Sequence, residues 1–247
     1  MKLKLDLKNR VPEPEEVMEN KEALEYKKAH RFDPAKKGSA YSITAIDIFK
    51  RIKITKGNVL DIACGYGALV CQMNYFKPDL EFTGIDNSKS MIDLGQENYS
   101  NFKFIKMNAN KLNFPDETFD LIICKDSFHH FTNSIEVLKE IYRVLKKKGF
   151  IYLTDLRRDS PKKVIQEVYN ELIFINETNA RQYIDSIKAS YKISEIKKLF
   201  KKANIENYNI WNAKVNKNFI KEYEINHHDN LSAKNFIKDR WIAIIKK

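Results

Sequence analysis

The sequence predicts a doubly wound, mostly parallel α/β fold with a seven-stranded sheet, and three observations predict it. From Asn58 onward short apolar runs alternate with stretches of helical period, the pattern of successive βαβ units. Runs such as VLDIA and DLIICK are short and apolar, as strand candidates are. Turn and cap residues fall between the runs: Pro78 and Asp79 follow the first helix, Ser88 can cap the second, and Gly149 closes a long helix before its strand.

Taken in order, the strands are expected at 59–63, 81–86, 103–107, 119–125 and 150–155, with helices at 68–76, 88–99 and 135–147. After Asp155 the alternation pauses, and residues 161–191 read as two helices. ISEIKKLFKKANI then resumes the α/β rhythm, and IENYNIWNA and DRWIAIIKK form two closing strands, with Trp211 and Trp241 packed on the sheet. Residues 1–55 are an irregular, Pro-containing start followed by helices, of which SITAIDIFKR is amphipathic. The expected organisation is an N-terminal helical lid or appendage over 1–55 and an α/β domain over 56–247. That domain carries a helical insert at about 160–191 and a long polar connection, NHHDN at its centre, at about 214–237.

With 247 residues, 43% hydrophobic and 31% charged, the chain can bury a sizeable core. No apolar run approaches the roughly 18 residues of a membrane span. The start, MKLKLDLKNRVPEPEE, lacks the apolar h-region of a signal peptide, so a cytoplasmic location is expected. The net charge of +11 raises the question of nucleic acid. The lysines, however, are spread over amphipathic helices such as EVLKEIYRVLKKKG, where they solvate an outer face. Cys64, Cys71 and Cys124 make no CxxC pair and no Cys/His metal spacing; reduced structural thiols and no metal are expected. The oligomeric state has no signature in the sequence.

VLDIACGYGAL, residues 59–69, is a glycine loop that follows a strand. It is not a GxxxxGK[ST] phosphate loop, and Val70 stands where a GxGxxG dinucleotide fingerprint has its third glycine. Asp61 precedes the loop by two residues. A carboxylate there opposes a pyrophosphate and suits a ligand with cationic groups and no phosphate, of which S-adenosylmethionine (SAM) is an example. Asp86, in TGIDNS at the end of the second strand, can accept from vicinal ribose hydroxyls. Alone it fits NAD and SAM equally.

Residues 58–155 resemble a class I SAM-dependent methyltransferase of the small-molecule, methyltransferase domain 11 type. The resemblance rests on VLDIACGYG, FTGIDNSKSMI, FIKMNANKLNFPDETFDLIICKDSFHHF and EIYRVLKKKGFIYLTDL, in that order and spacing. Weaker similarity to flanking motifs of one branch extends to RVPEPEEVM, DLRR and SIKASYKISEI. The resemblance implies a Rossmann-like sheet and SAM as the methyl donor. It places Asp61 near the methionyl part, Ala63, Gly65 and Gly67 against the ligand, and Asp86 on the ribose, with Asn87 and Met91 flanking the adenosine. Asn108 and Ala109 stand where the family has Asp-Ala beside the adenine, and Lys125 where a backbone contacts the methionyl amino group. Ala63 and Asn108 depart from the usual pattern.

The segment CKDSFHHF normally faces the methyl group and the acceptor. His129 and His130 are candidate general bases, since a neutral imidazole takes a proton near pH 7. Asp155, Arg157 and Arg158 follow the fifth strand, where Asp155 is a further catalytic candidate and two arginines can clamp an anionic acceptor. Tyr26, His30 and Phe32 are candidates for a lid, and Tyr191 for the pocket wall. The leading expectation is methyl transfer to a small molecule. RNA or protein methylation is the alternative, weakened because KDSF stands where base aminomethylation uses Asn/Asp-Pro-Pro-Tyr/Phe and because Cys124 follows Ile123 rather than proline. A SAM-binding regulator without turnover is the third reading.

Overall fold

The computed structural model describes residues 5–13, 23–24, 39–213 and 238–247. Its order runs α1 (Ala40–Ile52), β1 (Gly57–Ile62), α2 (Ala68–Phe76), β2 (Leu80–Asp86), α3 (Lys89–Asn98), β3 (Lys103–Lys106), β4 (Phe119–Lys125), a short 3-10 turn (Phe128–His130) and α4 (Ser134–Val144). It continues with β5 (Leu145–Leu156), α5 (Lys162–Ile175), α6 (Glu177–Ala189), α7 (Ile193–Lys202), β6 (Tyr208–Asn212) and β7 (Arg240–Lys246). The seven strands form one sheet in the order β3-β2-β1-β4-β5-β7-β6. Strands β1 to β5 pair in parallel, while β7 runs antiparallel to both β5 and β6.

The apolar strand sequences have both faces to fill. On one face Leu60, Ile62, Ile122, Leu153 and Trp241 pack with Leu138 and Ile141 of α4 and Ile196 and Phe200 of α7. On the other, Val59, Leu121, Ile123 and Tyr152 pack with Ile48 of α1 and Leu69 and Met73 of α2. Trp211 is half-buried, with the Arg51 guanidinium over its ring at 4.6 Å. Strand order reverses between β1 and β4, so a crevice opens at their carboxyl ends, the position where open α/β sheets bind ligands. Asp61, Asp86, Lys125 and Asp155 all lie at or next to the carboxyl end of their strands.

Ser88 caps α3, its Oγ accepting from the Met91 N–H at 3.1 Å. One boundary corrects the sequence reading. Helix α4 stops at Val144, and Gly149 lies inside β5 rather than closing the helix. The sheet pulls the chain straight: the Thr118 N–H donates to the Val144 carbonyl at 2.8 Å, and Phe119 pairs with Leu145. Helices α5 and α6 fall within 161–191, where two helices are expected. The connection at 214–237, Tyr26, His30 and Phe32 lie outside the described residues. Among the described residues no helix is long and apolar enough to cross a membrane.

Candidate active site

A cavity of about 670 Å³ occupies the crevice, a size suited to a drug-sized ligand. Its floor is the loop after β1 and the ends of β2 and β4. Residues 11–13 and side chains of α5 and α6 also line it, among them Leu172, Asn179 and Tyr183.

The end nearest β1 and β2 is made largely of backbone. Ala63, Gly65 and Gly67 adopt the left-handed conformation, with φ of 54°, 54° and 84°. The two glycines serve different needs. A Cβ at Gly67 would overlap the Phe104 ring, so its absence is a packing requirement. A Cβ at Gly65 would meet nothing nearer than Met91 Sδ at 4.0 Å, so its absence leaves room for a ligand against the backbone. Asp86 fixes this loop, Oδ2 accepting from the Gly65 N–H and Oδ1 from the Ser88 N–H, each at 2.9 Å. Burial pushes the Asp86 pKa up, partly opposed by those N–H donors and by His130.

Asp61 is buried and lines the cavity. Burial pushes its carboxyl up to about 8, with Lys125 opposing and Asp86 adding to the rise. The Lys125 ammonium is paired with Asp126 and lies 5.1 Å from the Tyr41 ring centroid. Asp126 also accepts from Arg240 at 2.6 Å. A buried carboxylate facing the cavity, with Lys125 beside it already paired to Asp126, favours a cationic ligand. Burial also holds the thiols of Cys64 and Cys124 well above the usual range, which removes both as ready nucleophiles.

The opposite end is made of side chains. His129 is buried, and its Nδ1 lies 2.7 Å from Asp155 Oδ1. Asp155 also accepts from the backbone N–H groups of His129 at 2.8 Å and Leu156 at 2.7 Å. Burial disfavours the charged imidazole, yet Asp155, Glu13 and Asp126 outweigh it and raise the His129 pKa. Glu13 Oε2 stands 3.1 Å from His130 Nδ1 and 3.7 Å from His129 Nε2. The N-terminal segment is held there by Arg10, which donates to the His129 carbonyl at 2.7 Å and the Ala189 carbonyl at 2.5 Å and covers the Tyr191 ring.

Asp61, Ala63, Gly65, Asp86, Asn87, Met91, Ala109, Lys125, His129 and His130 therefore line one cavity. Gly67 caps α2 just behind it. Asn108 does not join them: it is exposed, and its Oδ1 accepts from the Asn110 N–H at 2.8 Å. Asp155 stands behind His129 rather than on the wall. Arg158 is buried away from the cavity, donating to the Leu7 and Ser190 carbonyls and to Glu195. Arg157 turns back on Asp159 at 3.2 Å. Tyr191 bonds Ser134 at 2.9 Å and packs against the core. An arginine clamp on the acceptor thus has no support in the geometry, because both guanidiniums are engaged elsewhere. Tyr26 lies outside the described residues.

Sequence reasoning missed Glu13, Asp126, Tyr183 and Arg240 on the cavity wall. Glu13 had a signal, since it sits within the flanking motif RVPEPEEVM. Arg240 had none, because only the β5–β7 pairing brings it to Asp126.

A family model described as a methyltransferase domain matches residues 55–218. Demethylmenaquinone methyltransferase of Thermotoga maritima is 31% identical over 119 residues, 48% of this chain and 52% of that protein. The uncharacterized methyltransferase YcgJ of Bacillus subtilis is 32% identical over 102 residues, 39% of this chain and 40% of that protein. The chain spans about half the length of the curated relatives it matches. Among solved structures, a candidate S-adenosyl-L-methionine-dependent methyltransferase from Methanococcus maripaludis superposes with a TM-score of 0.67 at 19% identity, covering 96% of this chain and 97% of that one. The plantazolicin methyltransferase BpumL, solved with SAH, gives a TM-score of 0.62 at 21% identity, with coverage of 84% and 82%. At these identities the likeness is one of fold.

Proposed function

The chain belongs to the methyltransferase-domain family, and we propose that it is a class I SAM-dependent methyltransferase that methylates a small organic acceptor held at the His129–His130 end of the cavity. The observation that carries this reading is the pairing, in one cavity, of a phosphate-free glycine loop with two acids, Asp61 and Asp86. SAM supplies an activated methyl group on a sulfonium. The residues present fit it: space left open at Gly65, a buried carboxylate suited to a cation, and a second carboxylate at the end of β2.

In this reading Asp86 has two duties. Its backbone bonds fix the loop, and its remaining lone pairs accept from ribose hydroxyls. Asn87, Met91 and Ala109 border the nucleoside, while Asp61 and the backbone at Lys125 receive the methionyl cationic groups. Methyl transfer is an in-line displacement, so much of the acceleration comes from positioning and exclusion of water. Residues 11–13 and side chains of α5 and α6 line the cavity, and a concave site of this kind supports a small acceptor over a folded macromolecule. His130, about a third exposed, stands beside Glu13 as the group able to take an acceptor proton. Asp155 positions His129. Demethylmenaquinone and plantazolicin, named for proteins similar to this one, are small organic molecules.

The test is incubation with methyl-labelled SAM and cell extract, followed by separation of RNA, protein and low-mass metabolites. Label in the low-mass fraction is expected. Label confined to RNA or protein would overturn the acceptor class, and tight SAM binding with no labelled product in any fraction would point to a regulator.

A further inference from the structure

We propose that Glu13, His129 and His130 form a site for a divalent transition metal of the Zn²⁺ type at the acceptor end of the cavity. The site deepens the methyltransferase reading and rests on it for the role of the metal, not for its binding.

Among the described residues these three offer ligand atoms that all lie within 4.8 Å of one another. Glu13 Oε2 is 3.1 Å from His130 Nδ1 and 3.7 Å from His129 Nε2. Ligands of a tetrahedral zinc, with bonds near 2.0–2.1 Å, stand about 3.3 Å apart, and the two distances from Glu13 fall on either side of that value. Hydrogen bonding does not account for the arrangement. Both His129 Nε2 and His130 Nδ1 are buried atoms without a hydrogen-bond partner among the described residues. His130 Nδ1 is close to Glu13 but not aligned for a bond, leaving two imidazole nitrogens and a carboxylate gathered around an unfilled point.

The surroundings are those of a metal ligand set. The contact of His129 Nδ1 with Asp155 at 2.7 Å fixes the tautomer that leaves the Nε2 lone pair free. This is the carboxylate–histidine–metal relay of zinc sites. Asp155 is itself held by two backbone N–H groups. Glu13 is brought in from the chain start by Arg10, and by the Val11 N–H donating to the Lys188 carbonyl at 3.1 Å. Two nitrogens and one carboxylate favour Zn²⁺ and its neighbours over Mg²⁺ or Ca²⁺, which prefer all-oxygen sets.

Three protein ligands leave one position, and all three residues line the cavity. That position suits an acceptor bearing a thiol, phenol or enol. Coordination lowers the acceptor's pKa, its proton passes to solvent, and the heteroatom takes the methyl group as the sulfonium C–S bond breaks with its electron pair staying on sulfur. The balance is acceptor X–H plus SAM cation to X–CH3, S-adenosylhomocysteine and one proton. With metal bound, His130 is a ligand rather than the base.

The test uses untagged, chelator-stripped protein titrated with Zn²⁺ by calorimetry and with Co²⁺ by visible spectroscopy. One equivalent is expected to bind, with Co²⁺ giving intense tetrahedral bands. Glu13→Gln and His130→Ala, neither fully buried, should each weaken binding at least tenfold; Asp155→Asn should weaken it by roughly 10–100-fold through His129. His227→Ala/His228→Ala should leave it unchanged. Binding that survives Glu13→Gln/His130→Ala, or is lost with His227 and His228, overturns the site, as does absence of binding. SAM calorimetry on the same samples separates the two readings. Retained SAM affinity without metal refutes only the metal site, whereas metal binding without SAM affinity refutes the proposed function.

Discussion

In the proposed function the donor end of the cavity is built largely from backbone in two short stretches, 59–67 and 82–88, whereas the acceptor end is built from side chains gathered from across the chain. At the donor end Asp86 reaches back to Gly65, and the loop it fixes follows β1 directly. At the acceptor end Arg10 holds the carbonyl of His129, 119 residues away in sequence. Arg158 ties the N-terminal segment at Leu7 to Ser190 and Glu195. The donor end is a local consequence of strand, loop and helix cap. The acceptor end is a tertiary assembly, and it can change among chains that share the donor loop.

The largest effect that separates the two ends is expected at Arg158. Its guanidinium is buried and serves two carbonyls and a carboxylate. Arg158→Ala removes all three bonds, Glu195 keeping its contact with the Lys192 N–H, and should cost about 3 kcal/mol, roughly a 6–12 °C fall in melting temperature for a chain of this size. SAM affinity, measured by calorimetry where the variant is folded, should stay within about threefold. Unchanged melting with lost turnover would instead restore Arg158 as an acceptor clamp.

Asp61 gives a smaller effect at the other end, through pH. Burial pushes its carboxyl up to about 8 in the folded protein, from the ordinary 3.8. The folded state therefore keeps a proton that the unfolded state gives up. This group favours folding fully below about pH 4, and the advantage is lost as pH rises to about 8. A cationic ligand prefers the ionised form, so SAM affinity should climb between pH 6 and 8, by at most about tenfold per pH unit, with proton release. Asp61→Asn should flatten both slopes. Equal pH profiles for the two proteins, in calorimetry and in melting, would falsify the cation-receiving role of Asp61.

What the sequence disclosed follows the same division. The parallel strands were legible because short apolar runs alternate with stretches of helical period. The donor loop was legible because glycines and acids at fixed spacing answer a backbone requirement. The end of α4 was not, since the competing force is strand pairing of Leu145 with Phe119, which helical period cannot register. Arg157 and Arg158 stood at the right sheet edge, but Arg157 turned back on Asp159 in its own turn and Arg158 turned to Glu195 of another segment. Glu13 lay in a visible motif, yet its role depends on Arg10 and Val11 docking it beside the imidazoles.

The smallest effect tests whether the donor loop is as purely a backbone device as its contacts indicate. Ala63 holds φ at 54°, a conformation that costs an L-residue about 1–2 kcal/mol. Ala63→Gly relieves that cost, while the freer unfolded chain takes back about 0.5–1 kcal/mol. The Ala63 methyl is only partly buried against the core, so its removal forfeits less than the roughly 0.8 kcal/mol of a buried methylene. These contributions leave a net stabilisation of about 0.5 kcal/mol or less, with SAM affinity unchanged because the substitution removes atoms from the cavity wall. A clear loss of stability in denaturant melts would mean that packing of this one methyl outweighs the strain it causes. The donor end would then depend on side-chain fit as the acceptor end does.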